Sequence, residues 1–172
     1  MLTIACVLRS GGIFDGRWVQ RLKRNAAAFA PTHKFVCLSD VPIWGVETIP
    51  LKHDWPRWWP ILEVFRPGLF NGRVVYMDLA NLIVGRLEPV LWQTDFMIAP
   101  DPFVPGPSRF ASGLMSFWGD DNEIYERFAR KPDEYMARLH GDQEFISEIR
   151  PKAQTYEPGI AVSYKSQCKG KD

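Results

Sequence analysis

Two short stretches place groups capable of chemistry where a turn would expose them. Tyr76-Met77-Asp78-Leu79-Ala80-Asn81 ends a run of β-forming residues on a carboxylate. A carboxylate at a buried strand end is a hard oxygen ligand, suited to a Mg2+ or Mn2+ ion bridging diphosphate oxygens. An aspartate at such a turn serves equally well as an acceptor for nearby amides. The second stretch, Arg9-Ser10-Gly11-Gly12, follows the apolar run Leu2 to Leu8. Its glycines would let backbone approach a ligand and its arginine suits a phosphate, while the plainer reading is a strand-to-helix turn. Neither GxGxxG nor GxxxxGK[ST] is present, so no dinucleotide or P-loop signature supports it.

Other constellations carry less. Ser10, Ser112 and Ser116 sit in no GxSxG elbow, and Cys6 and Cys37 lie within apolar runs, where a thiol is a small hydrophobe. With Cys168 they form an odd set without a CxxC pair, and reduced thiols are expected. Trp55, Trp58 and Trp59 offer indole faces to a sugar or, more simply, to the body of the protein. Arg127, Arg130, Lys131 and Arg138 are interleaved with Glu123, Glu126, Asp133 and Glu134 and read as a solvated helix face. His33, His53 and His140 belong to no metal-binding spacing and are expected on the surface or in loops.

The elements that must position these groups alternate. Leu2–Leu8 reads as a strand buried on both faces. Asp15 or Gly16 can cap a helix carrying Trp18, Leu22, Ala26 and Phe29 and ending before Pro31. Strands are predicted at Lys34–Leu38, Val46–Leu51, Arg73–Asp78, Phe96–Ala99, Gly113–Trp118 and Ile160–Tyr164, with the apolar run resuming at Leu82–Val84. Pro60 opens a short helix that stops at Pro67-Gly68, and Pro100 to Pro107 forms a stiff loop. Asp120 with Glu123 suggests a capping box, Pro132 a second helix through Leu139, and Asp142 caps a third carrying Phe145, Ile146 and Ile149. This alternation implies an α/β sandwich with a mainly parallel central sheet flanked by helices. Ligands of such sheets bind beyond the carboxyl ends of the strands, so the residues after Leu8 and Met77 are the ones to examine.

The 172 residues fit one domain, residues 1–172. A formal net charge of +1 lacks the basic excess that a phosphate backbone demands, so no nucleic-acid partner is expected. Met1–Leu8 is too short to span a bilayer and lacks a basic n-region, which gives neither a membrane span nor a signal peptide and points to a cytoplasmic chain.

Several blocks, in order, resemble nucleotide-sugar glycosyltransferases of the GT-A fold, the glycogenin-like retaining group and its bacterial and phage relatives. They are Asp54–Trp59, Glu63–Phe70, Gly72–Leu79, Phe110–Met115 and Gly141-Asp142-Gln143. The likeness runs from the first strand to Tyr164. It implies a hexosyltransferase moving a sugar from a nucleoside diphosphate sugar, a UDP-sugar by the family's habit, to a glycan, lipid or protein acceptor. The base and ribose would lie against the loop after Leu8, with Arg9, and near Asp40. Asp78 would hold the first position of the family's Asp-x-Asp motif for Mn2+ or Mg2+. Asp142 and Gln143 match the family's Asp-Gln beside the transferred sugar. The departures are Ala80 at the second aspartate, Ala111 for an asparagine facing the donor sugar, Ile61 for a basic residue, and no carboxy-terminal segment with its histidine and lysine. Metal binding is therefore expected to be weak or absent. The alternative reading is a catalytically inactive relative that keeps the fold as a nucleotide- or glycan-binding or interaction module.

Overall fold

The computed structural model describes residues 2–104, 106 and 109–170. One seven-stranded sheet organises them, in the order β3-β2-β1-β4-β6-β5-β7. The strands are β1 (Leu2–Leu8), β2 (Lys34–Ser39), β3 (Glu47–Pro50), β4 (Arg73–Met77), β5 (Met97–Pro100), β6 (Phe110–Trp118) and β7 (Gln154–Thr155). The pairs β1/β2, β1/β4, β2/β3 and β5/β7 are parallel; only β6 runs against its neighbours β4 and β5. Sheets of this kind need cover on both faces, and the alternation along β1 provides it. Ile4, Cys6 and Leu8 face one layer with Val19, Leu22 and Ala26 of α1 (Gly16–Phe29) and Val90 and Leu91 of α2 (Glu88–Leu91). Ala5 and Val7 face the other with Trp55, Trp59, Phe65, Phe128 and Phe145. That second layer is built from a 3-10 helix (Trp59–Phe65), α3 (Glu123–Arg130), α4 (Pro132–Arg138) and α5 (Asp142–Ile149). No helix among the described residues is long and apolar enough to cross a membrane.

Local chemistry explains the ends of these elements. Asp15 caps α1 by accepting from the Arg17 amide at 2.9 Å, and Pro60 stands in the first turn of the 3-10 helix. Trp18 packs from α1 onto the sheet layer, its ring met edge-on by Phe14 and covered by the Arg21 guanidinium at 4.2 Å. Gly119 is required by close approach: a Cβ there would lie 2.4 Å from the Phe70 carbonyl oxygen. Cys6 and Cys37 sit opposite one another on β1 and β2 as buried free thiols, and Cys168 is free and exposed.

Three expectations fail for identifiable reasons. Ile160–Tyr164 is not a strand. The tail pairs with β5 earlier, through Gln154–Thr155, and then turns at Pro158-Gly159 with Gly159 at φ 91°, leaving Val162 and Tyr164 exposed and a π-helical turn at Tyr164–Cys168. Asp120 does not cap α3. Asn122 precedes that helix in helical geometry, where no side chain reaches the free amides, and Glu123 turns instead to Arg127 and Arg150. At α5 only the reciprocal half of such a box forms, Glu144 accepting from the Gly141 and His140 amides, because the cap Gly141 has no side chain; Asp142 is the first helical residue rather than the cap. Leu82–Val84 is irregular, with Leu82 and Val84 turned to solvent. Of the stiff loop 100–107, Pro105 and Pro107 lie outside the described residues.

His53 also departs from expectation. It is half-buried, stacked on Trp55 at 4.2 Å, with Nε2 2.8 Å from the Tyr125 hydroxyl, and burial holds its pKa below the ordinary imidazole value. The segment before it hangs from Glu63, a fully buried carboxylate that accepts from the Lys52 and His53 amides at 2.7 and 2.8 Å and from Arg66 at 2.6 Å. Removing one partner of a buried, hydrogen-bonded ion pair leaves the other uncompensated. Glu63→Gln is therefore expected to lower unfolding free energy in urea by about 3 kcal/mol. Glu47→Gln, which breaks only the exposed pair with Lys34, should cost less than about 1 kcal/mol, and equal midpoints for the two variants would show that Glu63 is not the anchor.

Candidate functional site

From β1 the chain moves outward through β2 and β3, then returns to the other side of β1 as β4. The strand order reverses between β1 and β4, and at such a switch point the connections diverge and leave a crevice beyond the carboxyl ends. A cavity of about 630 Å3 opens there, bounded by Leu8 to Phe14, Asp54, Pro56 to Trp58, Ile61, Asp78 and Leu79.

The loop after β1 is held by charge. Asp40, just beyond β2, accepts from the Ser10 amide at 2.8 Å and its hydroxyl at 2.5 Å, and lies 3.4 Å from Arg9. Partial burial works against ionisation of Asp40, yet the Ser10 donors and Arg9 outweigh it and hold its pKa below the ordinary value. Arg9 also pairs with Asp54. The guanidinium expected to meet a phosphate is thus already shared between two carboxylates. The Asp54 side chain is 85% exposed, and a pair so open to water is weak enough for an anionic ligand to displace. Leu8 itself is buried and contributes position, not a polar contact.

The loop after β4 is tied down on both sides. The Asp78 amide and the Asn81 side chain both donate to the Gly113 carbonyl of β6, at 2.9 and 2.6 Å, and Arg21 of α1 donates to the Leu79 carbonyl at 2.9 Å. Asp78 begins immediately after β4 and accepts from the Ala80 amide at 2.8 Å, so it is the turn-forming aspartate as well as a crevice-lining one. Burial raises its pKa, opposed by that amide. Ala80 is exposed and brings no ligand.

Asp142 approaches the same region from α5. It is only 4% exposed, and the neighbouring Gly141 lies against the Trp58 ring at the crevice wall. Burial pushes its pKa up to about 7, opposed by the Ser112 hydroxyl of β6 and reinforced by the nearby negative charge of Asp78. Its Oδ2 is buried without a hydrogen-bond partner, as is the hydroxyl of Tyr76 on β4. Gln143 is half-buried beside it, its carbonyl accepting from Ser147 at 2.6 Å. Of the expected polar residues, Arg9 and Asp78 line the crevice, Asp40 is tied to its wall through Ser10 and Arg9, and Asp142 and Gln143 lie behind it and are not among its lining residues. Among the described residues no cluster of three His, Cys, Asp or Glu side chains is arranged to hold a metal ion.

Two contributors, Asp54 and Arg57, escape a reading by sequence. Asp54 pairs with Arg9 across 45 residues, a contact that no local pattern marks. Arg57, with φ 56°, holds the left-handed conformation without being glycine, a strained turn at the crevice rim. The tryptophans divide: Trp55 and Trp59 are buried against Phe128, as the packing reading expects, whereas Trp58 is 57% exposed and lines the crevice. A signal existed for the last, since Pro56 and Pro60 fix the turn that separates Trp58 from Trp59.

No family model matches the chain, and no curated protein matches it. Solved structures do. The apo form of the glycosyltransferase GlyE of Streptococcus pneumoniae TIGR4 superposes with a TM-score of 0.67 at 14% identity, over 90% of this chain and 44% of GlyE. The galactosyltransferase LgtC, in complex with donor and acceptor sugar analogs, gives a TM-score of 0.67 at 14% identity, over 89% of this chain and 72% of LgtC. A CMP-2-keto-3-deoxy-manno-octonic acid synthetase complexed with CTP follows at 0.58 and 12% identity, over 91% of this chain. The chain thus spans less than half the length of GlyE. At these identities the shared property is the architecture, and the protein has a fold like that of the GT-A nucleotide-sugar glycosyltransferases.

Proposed function

We propose that this chain binds a nucleoside diphosphate sugar in the crevice between β1 and β4 and belongs to a hexosyltransferase, with a UDP-sugar as donor and a glycan, lipid or protein as acceptor. The observation that carries the proposal is the placing of the Arg9–Asp40 loop and Asp78 at the switch point of a sheet whose architecture is shared with LgtC and GlyE, with Asp142 buried close enough to feel the charge of Asp78. Leu8 to Gly12 would lie along the base and ribose, with Asp40 accepting from ribose hydroxyls and Arg9 exchanging Asp54 for a phosphate. Asp142 and Gln143 would face the transferred sugar, near the indole of Trp58.

The donor set fits a divalent cation poorly. Mn2+ and Mg2+ take several oxygen ligands, whereas Asp78 is already bonded to the Ala80 amide, Asp54 is paired with Arg9, and position 80 offers a methyl group. Screening of a diphosphate in this crevice then falls to Arg9 and Arg57. The same feature favours the second reading, a binding module that retains donor recognition without transfer.

Asp142 would act differently from an ordinary aspartate. With a pKa near 7 a large share of the molecules carry a neutral carboxyl at physiological pH, able to donate a hydrogen bond to a sugar oxygen.

Two outcomes test this reading. Asp142 favours its protonated form when folded, so the folded state holds more protons than the unfolded chain between about pH 4 and about 7, and stability contributed by the group is lost as pH rises through that window. Asp142→Asn should therefore gain on the parent from pH 4 to pH 8, by an amount on the order of 4 kcal/mol in the limit. A constant difference in chemical denaturation across that range would mean that Asp142 is not held neutral by burial. Ala80→Asp restores a second carboxylate near Asp78. The variant should melt lower than the parent without ligand, because like charges repel, and gain more from UDP with Mn2+ than the parent does. Equal ligand-induced shifts would place position 80 away from a nucleotide-metal site.

A further inference from the structure

A second cavity, of about 690 Å3, opens at the other end of the sheet. Leu2 pairs with Arg73 and Arg73 with Trp118, so the amino ends of β1 and β4 and the carboxyl end of antiparallel β6 meet there. His33 and Lys34 at the start of β2, and Trp92 after α2, complete the wall. Its volume falls within the roughly 300–1,000 Å3 of small-molecule sites.

The lining is incompletely satisfied in two ways. Arg73 is 8% exposed; it donates to the Asp95 carbonyl at 3.3 Å and to Ser116 Oγ at 3.2 Å and lies 5.6 Å from the Trp118 ring centre. Its Nε is nevertheless buried without a partner, and no carboxylate pairs with it among the described residues. His33 Nδ1 is likewise buried and unpartnered. Around these polar groups stand two large indoles in water, Trp92 at 70% and Trp118 at 49% exposure. Both are oriented, Trp92 edge-on to His33 at 6.4 Å and Trp118 by donating from Nε1 to the Thr94 carbonyl at 2.9 Å.

A buried guanidinium that makes no direct ion pair and feels the charge of Asp95 only beyond ion-pair distance is costly, and so is fixed apolar area left in water. Among the described residues no acidic side chain lines the cavity, and the one other lysine or arginine there, Lys34, is occupied by Glu47. A ligand that relieves both costs needs an anionic group for Arg73, a flat apolar face for an indole, and a hydroxyl for His33. An unsubstituted aromatic acid such as benzoate supplies the first two only. A sugar acid supplies all three, since the axial C–H face of a pyranose stacks on indole and its hydroxyls hydrogen-bond. We propose that this cavity binds an acidic sugar, a pyranose bearing a carboxylate or a phosphate, at a site separate from the crevice between β1 and β4. The proposal stands whether or not the crevice binds a nucleotide.

The test follows the indole N–H signals of Trp92 and Trp118 by NMR in the full chain during titration with glucuronate, glucose 6-phosphate, glucose and benzoate. The better of the two acidic sugars identifies which acid the site takes. It should move both signals saturably and bind about tenfold more tightly than glucose, the worth of one charge-assisted hydrogen bond. Trp92→Ala should weaken it by about tenfold, as loss of an aromatic anchor does, with the Trp118 signal of the free protein unchanged. His33→Ala should weaken it less, and saturating UDP should not compete. Absence of a saturable response to both acidic sugars, equal affinity for glucose or benzoate, unchanged affinity in both variants, or displacement by UDP would each overturn the proposal.

Discussion

The parallel pairing of β1 with β4, Leu2 to Ala5 against Arg73 to Tyr76, is the constraint on which the rest of the molecule depends. Strands so distant in sequence come together because each is apolar on both sides and can be covered only inside the sheet. The alternation along β1 sends Ile4, Cys6 and Leu8 into the layer with α1 and Ala5 and Val7 into the layer with the tryptophans. Once β4 lies beside β1, the loops that follow both strands must rise at the same edge. Asp78 then stands across from Ser10 and Arg9 without any direct contact between the two loops being needed. The crevice is a consequence of topology, and its polar residues are the ones that topology leaves at strand ends.

The crevice is held by contacts that reach across the fold. Gly113 of β6 accepts from two donors of the β4 loop, α1 reaches the same loop through Arg21, and β2 supplies Asp40 to the β1 loop. A ligand entering here meets a preformed frame with two adaptable elements. One is the exposed Arg9–Asp54 pair; the other is the strained Arg57 turn bearing Trp58. Buried Asp142 with its unpartnered oxygen is the least comfortable group in the region. Burial pushes its pKa up to about 7, a perturbation of the kind that clusters at functional sites.

Much of this was legible in sequence where a single local rule decides. The apolar runs Leu2–Leu8 and Arg73–Met77, the Asp15 cap and the proline-bounded helix needed only burial patterning and turn chemistry. So did the placing of Asp78 at the end of the Arg73–Asp78 run, although the strand itself stops one residue earlier, at Met77. What escaped depends on competition between distant partners. Ile160–Tyr164 has strand-forming residues, but the free edge of β5 is taken by Gln154–Thr155, which no local propensity foretells. Asp120 and Glu123 have the spacing of a capping box, and Arg150 from α5 draws Glu123 away. Glu63 within the apolar run Ile61–Phe65 is an oddity visible in sequence, but its meaning lies in the Lys52 and His53 amides that fold back to it. Of the residues that resemblance to the GT-A enzymes singled out, Arg9 and Asp78 line the crevice, while the engagement of Arg9 by Asp54, and which of the three tryptophans faces solvent, required the fold itself.

The central claim is that the crevice between β1 and β4 receives a nucleoside diphosphate. Its most direct test is a map of backbone amide chemical shifts on titration with UDP without added metal. The account predicts saturable changes concentrated at Leu8 to Gly12, at Asp40 and at Asp78 to Asn81, with the Arg9 side-chain signal moving as it leaves Asp54. Changes confined to other surfaces, or none at concentrations that saturate ordinary nucleotide sites, would contradict it.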